Sequence, residues 1–512
     1  MVDIEQQARR REEESYEYEI APKRAIERPP DLSASSISHY VKTRIPTLFI
    51  PPSSNLSNVN PMPAFRAMRK SHWNWFFLGL LGWVMDAMDY FVVSSAATEI
   101  AETLEVTVTD ITWGMTLVLM LRSVGAIIMG VSADRIGRKW PYVACCFMFV
   151  VLEIGLGFVQ TYKQFLGVRA VFGIAMGGMY GTAAATALEN LPDESRSVLA
   201  GLIPAGYSFG FILAIVFYRA FQFSYKPGEG WRALCWFSAG PPFILLVWRL
   251  CFGEGPYFEQ LKESRKYAKK SNIGVWKEAK DAFKNYWLIF AYLVFMMAGF
   301  NFLSHGTQDL YPTYLVNQAH FNPNEKTVTM VVFNLGSCLG GLVWGQLAEL
   351  TGRRLAIFTG LIWVGIFCYP AFMVPSIGAI IPCSFFLQFG VTAAWAAAPI
   401  HLIELSPPAY RALASGLAYQ MGNLASSASS TIESTIGSRF PIEGETGVYN
   451  YGKVMAIFTA CVILYMMIIV LIGPERFHRE LEEVPGYVEE KLDGVEHVIH
   501  EDKETTEHIE HR

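Results

Sequence analysis

Twelve stretches of this chain are apolar enough and long enough to cross a bilayer, and that leaves it few ways to fold. They lie near residues 75–96, 111–131, 141–160, 166–188, 198–218, 233–252, 286–315, 327–347, 355–374, 377–400, 413–435 and 454–473. A helix crosses the ~30 Å hydrocarbon core with ~20 residues, and inside that core every backbone N–H and C=O must be bonded within the protein. The expectation is an all-α membrane protein with twelve transmembrane helices. Composition agrees: 52% of the residues are hydrophobic and 17% charged, against roughly 25% charged in a soluble domain. The net charge of −5 says little, because such chains sort charge by side of the membrane.

The first residues, MVDIEQQARRREEESYEYEI, lack the apolar run of a cleavable signal, so targeting is expected to rest on the first membrane helix. Residues 1–72 and 476–512 are polar and read as disordered tails, open to cytosolic regulators. The sequon at Asn55 falls in the first tail. Cysteines such as Cys145, Cys146, Cys338 and Cys461 sit in apolar segments without metal-type spacing and read as buried thiols.

Lysine and arginine gather in the loops after segments 2, 4, 6, 8 and 10, including Lys262, Arg265, Lys266, Lys269 and Lys270, whereas TEIAETLEVTVTD after segment 1 has acids and no base. Both termini and the central loop are therefore expected on the cytosolic side. GVSADRIGRK (Gly130–Lys139) matches GQLAELTGRR (Gly345–Arg354), and ENLPDESRSVLAG from Glu189 matches ELSPPAYRALASG from Glu404. Both pairs share one offset of 215 residues. Two matches at one offset divide the chain into parallel six-helix halves, 73–252 and 286–475, joined by the loop 253–285, an arrangement in which a cavity forms between halves and access alternates by rocking.

The loop GVSADRIGRK resembles the signature loop of the major facilitator superfamily, and GVRAVFGIAMGG (Gly167–Gly178) resembles that superfamily's fourth helix. The resemblance covers all twelve segments and implies that fold. Asp134, Arg135 and Arg138 then read as a conformational latch between the halves. Glu189, Arg196, Glu349, Arg353, Glu404 and Arg411, the other charged positions of the repeat, join the same reading.

An ionisable group at the bilayer centre costs about 2.5–3.5 kcal/mol on insertion scales, so each needs a reason. The segments contain Asp86, Asp89, Arg122, Glu153, His305, Asp309 and Glu433. Arg122 lies ten residues inside the cytosolic end of segment 2, ~15 Å deep and close to the midplane. A guanidinium there either holds a carboxylate through paired hydrogen bonds or forms an internal ion pair with Asp86, Asp89 or Asp309. In segment 7, Asn301, Ser304, His305, Gln308 and Asp309 fall within an arc of about 140°, leaving Leu303 and Leu310 toward lipid. The repeat offset sets Asn301 opposite Asp86 and Ser304 opposite Asp89. Histidine is the side chain whose unperturbed pKa lies near physiological pH, and with it in the stripe His305, Asp309, Asp86 and Asp89 are the proton-coupling candidates. Pro312 is expected to interrupt segment 7.

NFLSHGTQDLYPT (Asn301–Thr313) closely resembles the helix-7 signature Asn-x-x-(Ser/Thr)-His-x-(Ser/Asp)-Gln-Asp-x-x-x-Thr of the fungal carboxylate:proton symporters, the lactate and pyruvate permeases, departing only at Thr307. LVLMLRSVGA and GLAYQMGNLASSASSTIE also look like that family. The resemblance implies a plasma-membrane symporter whose substrate path includes Arg122 and Gln420 beside the segment 7 stripe. Its partners are then a small carboxylate, a proton and the bilayer, with no cofactor, metal or nucleic acid. Dicarboxylate transport and a carboxylate sensor of transporter descent are the alternatives. DAMD (Asp86–Asp89) resembles bacterial aromatic-acid and sialate symporters and does not identify the anion. GEGPYFEQL lacks the full sugar-porter motif, and no nucleophile elbow or phosphate loop speaks for an enzyme.

Overall fold

The structure, a computed structural model, describes residues 34–49, 62–192, 195, 199, 202–255, 274–374, 376–406, 411–442 and 449–474. Among these the elements are helical apart from one isolated bridge, Pro441 to Tyr449. Eleven spans are long and apolar enough to cross a membrane. In the first half they are α3 (Lys70–Ser95), α5 (Val108–Ile136), α6 (Lys139–Gly157), α7 (Tyr162–Leu188), α8 (Ile203–Phe221), and the pair α9 (Gly230–Ser238) and α10 (Gly240–Leu250). Short α1 (Ala34–Leu48) and α2 (Met62–Ala67) precede them, and α4 (Ala97–Thr103) follows α3. In the second half come α11 (Gly274–Gln308) with α12 (Tyr311–Asn317), α13 (Pro323–Thr351), α14 (Arg353–Met373), α15 (Ile377–Ala396) with α16 (Ala398–Leu405), and α19 (Tyr451–Ile472).

The remaining segment, the eleventh in chain order (413–435), is present but broken, into α17 (Arg411–Ser426) and α18 (Ser429–Gly437). The break falls where hydroxyls are dense: Ser426, Ser427 and Ser429 turn back to the carbonyls of Asn423, Leu424 and Ser426, offering the backbone an alternative to the helical ladder. Segment 7 also breaks, at Asp309–Leu310, one residue before α12 takes Pro312 into its first turn, where a missing N–H costs nothing. The far-side starts of α5, α7 and α13 carry capping boxes, Thr107 with Asp110, Thr161 with Gln164, and Asn322 with Glu325, which satisfy their first orphan N–H groups.

The internal repeat extends into packing. A Cβ on Gly125 of α5 would strike the Ile174 carbonyl of α7, and one on Gly340 of α13 would strike the Phe389 carbonyl of α15; both positions of each pair are related by the 215 offset. Gly137 and its counterpart Gly352 cap α5 and α13 at φ 105° and 91°, the left-handed region that side chains avoid. Thus Gly137 and Gly352 are demanded by two matching tight turns, whereas a Cβ on the motif's other glycine, Gly130, would meet nothing within 4 Å.

Two expectations meet a different structure. Part of the tail read as disordered is helical: α1 packs on the ends of α14 and α19, where Tyr40 donates to the Ile472 carbonyl at 2.9 Å and Arg44 to that of Gly473 at 3.3 Å. Arg354, fully buried, organises this corner by donating to the carbonyls of Val470, Leu471 and Arg44 and to the Thr47 hydroxyl. A polar tail gains order here because a guanidinium has donors left for its backbone. In addition α11 begins at Gly274, within the stretch read as loop. Cys145 and Cys146 are buried, whereas Cys461 is exposed on the outside of α19. Asn55, the 262–270 lysine and arginine cluster and the C-terminal tail lie outside the described residues.

Candidate functional site

Arg122 sits on α5, 1% exposed, against α7. A Cβ on Gly177 would collide with the Arg122 carbonyl, so the glycine-rich fourth helix lets two backbones touch at this depth. The guanidinium meets Asp86 of α3 through Nη2 at 3.4 Å, long for a charge-assisted bond, which normally closes to 2.7–2.9 Å. Its Nε has no partner among the described residues. Around it stand aromatic rings from both halves: Trp83 lies 5.3 Å from the guanidinium carbon, Trp83 packs on Tyr180 and Tyr207 at 4.8 and 5.4 Å, and Tyr180 stacks on Tyr419 of α17 at 5.1 Å. The neighbouring Ser123 donates to the backbone carbonyl of Gln420 at 3.2 Å, so α5 and α17 meet across the halves at this level. The Gln420 side-chain oxygen has no partner among the described residues.

The segment 7 stripe divides by depth. Asn301 donates to its own helix at Met297. Ser304 accepts from the Trp395 indole of α15 at 2.6 Å, and Trp395 packs edge-on against Tyr419, joining the stripe to the aromatic cage. His305 Nδ1 lies 3.0 Å from Asp309 Oδ2, and the Tyr90 hydroxyl of α3 donates to that same oxygen at 2.8 Å. Ser94 donates to the Asp309 carbonyl at 2.6 Å. Gln308 is buried beside them. Asp309 therefore ties α3 to α11 across the two halves, and Ser94 is its counterpart at the repeat offset. The expectation that Leu303 and Leu310 meet lipid is corrected: both are 1% exposed, in a span that packs chiefly against α17 and α19 and also touches α18 and α15.

Asp89 and Glu153 are buried with no hydrogen-bond partner for either carboxylate among the described residues, as is Arg169 of α7 for its whole guanidinium. The three lie within electrostatic reach of one another. Glu433 of α18 is likewise buried and unpartnered, 3.3 Å from where a Cβ on Gly306 would stand. Outside the membrane spans, burial pushes the Glu99 carboxyl of α4 above its ordinary range, against bonds from Tyr218 and Gln222 that favour its charge.

The latch charges assemble within each half. Arg138 meets Glu189 at 3.0 Å and Arg353 meets Glu404 at 3.2 Å, two pairs that the 215 offset superposes. Each staples the loop after the second helix of its half to the end of the fourth. The side chains of Asp134, Arg135, Arg196, Glu349 and Arg411 lie outside the described residues. Sequence reading did not find Glu254, whose carboxylate accepts from the backbone N–H groups of Arg138 and Lys139 at 3.1 and 3.0 Å and so caps α6. Nor did it find Tyr90, Trp395 or the cage. Ser94 was within reach, since subtracting the offset from Asp309 gives it.

A family profile described as "Sugar (and other) transporter" matches residues 59–486. The chain belongs to that family. It is a multi-pass membrane transporter of the major facilitator fold and not an enzyme. Over 470 residues the transporter is 44% identical to the "Carboxylic acid transporter protein homolog" of Saccharomyces cerevisiae, which covers 88% of this chain and 76% of the yeast protein. Its identity to the sialic acid transporter NanX of Escherichia coli is 26% over 400 residues, 78% of this chain and 92% of that one. Among solved structures it resembles the E. coli xylose transporter XylE in a partially occluded inward-open conformation, with a TM-score of 0.63 at 14% identity over 80% of this chain and 99% of that one. At that identity the likeness is one of fold alone.

Proposed function

We propose that this transporter is a proton-coupled symporter that imports short monocarboxylates of the lactate, pyruvate or acetate type across the plasma membrane by alternating access, with both termini cytosolic. The observation that carries this reading is the unmet capacity of Arg122. A guanidinium offers five donors in a planar fork, and here one of its few partners is a carboxylate oxygen at 3.4 Å. An arriving carboxylate can take two parallel bonds from the fork, in a cage whose rings exclude water and so strengthen the attraction. The similarity to a yeast carboxylic acid transporter homologue and the segment 7 signature support the same class of substrate.

Proton coupling is assigned to the pair His305–Asp309, assisted by Asp86 and Asp89. Asp309 Oδ2 accepts from Tyr90 while facing His305. A proton added to this pair changes which atoms can donate to that oxygen, and hence how firmly α3 and α11 are joined. The proton and the closure of the far side are thereby linked. With Asn301, Ser304, Gln308 and Gln420, Arg122 forms the proposed substrate path.

Uptake of labelled lactate tests the reading. It is expected to rise as external pH is lowered from 7 to 5, and to be competed by unlabelled pyruvate and acetate more strongly than by succinate or malate. Uptake that ignores pH, or that only dicarboxylates compete, would contradict it.

A further inference from the structure

Lys326 breaks a local rule. It lies in the first turn of α13, just after the Asn322 cap and Pro323, where the helix dipole presents its positive end and a cation is disfavoured. It is also 5% exposed, which for a lysine demands a partner. That partner belongs to the other half of the molecule. The ammonium donates to the Ser95 carbonyl at 2.6 Å, and Ser95 is the last residue of α3, so the charge lies at the negative end of that helix dipole. The face of Tyr218 on α8 lies 4.4 Å from the same nitrogen, within cation–π range. Next to Tyr218, Arg219 of α8 donates to Asn324 of α13 at 2.8 Å. The charge is placed badly for its own helix and well for α3.

The surroundings agree on what this does. On the side away from the termini, the halves are joined by Thr98 to Asn317 (3.3 Å), Ser94 to Asp309, Thr116 to Thr431 (2.8 Å) and Thr112 to Ser434 (3.2 Å). Each of these is a neutral bond or a bond to a backbone carbonyl, of modest net strength. Beside them stand two bonds with one charged partner, Tyr90 to the Asp309 carboxylate and Arg219 to Asn324. Lys326 adds a buried cation to this seam, and a bond to a charged donor is worth about twice a neutral one.

We propose that Lys326 is the closing latch of the far-side gate: its ammonium caps the C-terminal end of α3 only while the halves are together on that side, and biases the transporter toward the state closed there. Separation of the ends of α3 and α8 from α13 strips the ammonium of the Ser95 carbonyl and the Tyr218 face and takes it from the Glu99 carboxyl of α4, which acts on it electrostatically, so the open state must hydrate it. Lys326 is a positioning residue in this scheme, touching the other half and not the substrate.

The test uses full-length transporter in lipid nanodiscs with Thr116→Cys as reporter, since Thr116 is buried between the halves in this state. The rate of its modification by a charged methanethiosulfonate is measured relative to the protein without the reporter. Lys326→Met is expected to raise the rate about tenfold, and Lys326→Arg to leave it within about twofold of the parent, since arginine keeps the charge and the reach. An unchanged rate in Lys326→Met, or an equal rise in Lys326→Arg, would overturn the proposal. Should Lys326→Met not assemble, Tyr218→Leu, which removes the ring beneath the ammonium together with the hydroxyl that bonds Glu99, must raise the rate while Tyr218→Phe, which removes the hydroxyl alone, must not, and an unchanged rate in Tyr218→Leu is equally decisive.

Discussion

Arg122 and Asp86 form a buried ion pair that is poor as an ion pair. At 3.4 Å with one contact, it does not return the cost of burying two charges, which takes good geometry and further hydrogen bonds. A pair held loosely is one that a substrate anion can open. Asp86 is accordingly a competitor for the same fork, and its removal separates binding from turnover. Asp86→Asn is expected to lower the KM for lactate by about fivefold, because the anion no longer displaces a carboxylate, and to lower kcat, because release loses the group that reclaims the guanidinium. A KM unchanged or raised would mean that Asp86 does not compete. From the sequence, Arg122 and the five polar residues of segment 7 were legible, since an ionisable group in an apolar run is conspicuous. The cage was not, because Trp83, Tyr180, Tyr207 and Tyr419 look like any aromatic residues of a membrane helix until four helices bring them together.

At the scale of elements, the fourth helix decides where Arg122 stands. Gly173 lies against the Val118 backbone and Gly177 against that of Arg122, so α5 and α7 touch without side chains between them. Gly177→Val is expected to force these helices apart, at about 1–3 kcal/mol for overpacking, and to displace the guanidinium from the cage. It should lower the thermal unfolding midpoint in detergent and reduce lactate uptake, while Gly167→Ala, where a Cβ meets nothing within 4 Å, should do neither. Equal stability of the two variants would remove glycine packing as the cause. The repeat was legible in the loops, at Gly137 and Gly352 and at Arg138 and Arg353. Its continuation into the paired contacts Gly125 with Ile174 and Gly340 with Phe389 needed coordinates, because a glycine in a helix does not say which neighbour needs it small. The break between α17 and α18 was hidden for a related reason: ASSASST is polar by a little everywhere and by a lot nowhere.

For the whole molecule, the described hydrogen bonds between halves run from Lys326 and Asp309 on the side away from the termini to Ser123 with Gln420 and Ser208 with Ser337 deeper in. Which of these contacts form is not carried by sequence, since the same residues must serve every state of the transport cycle. Twelve segments and two halves were legible because the bilayer imposes length and hydropathy on each span. The docking of α1 through Arg354 was not, since its partners are mainly backbone carbonyls. The central claim is that a carboxylate and a proton move together, with Arg122 holding the anion. It is tested most directly by purified transporter in proteoliposomes carrying an internal pH dye, with lactate added outside and no ion gradient imposed. Internal acidification that follows lactate entry is expected, and its loss in correctly inserted Arg122→Ala. Lactate entry without acidification beyond that of protein-free vesicles, or an Arg122→Ala variant that acidifies like the parent, would contradict it.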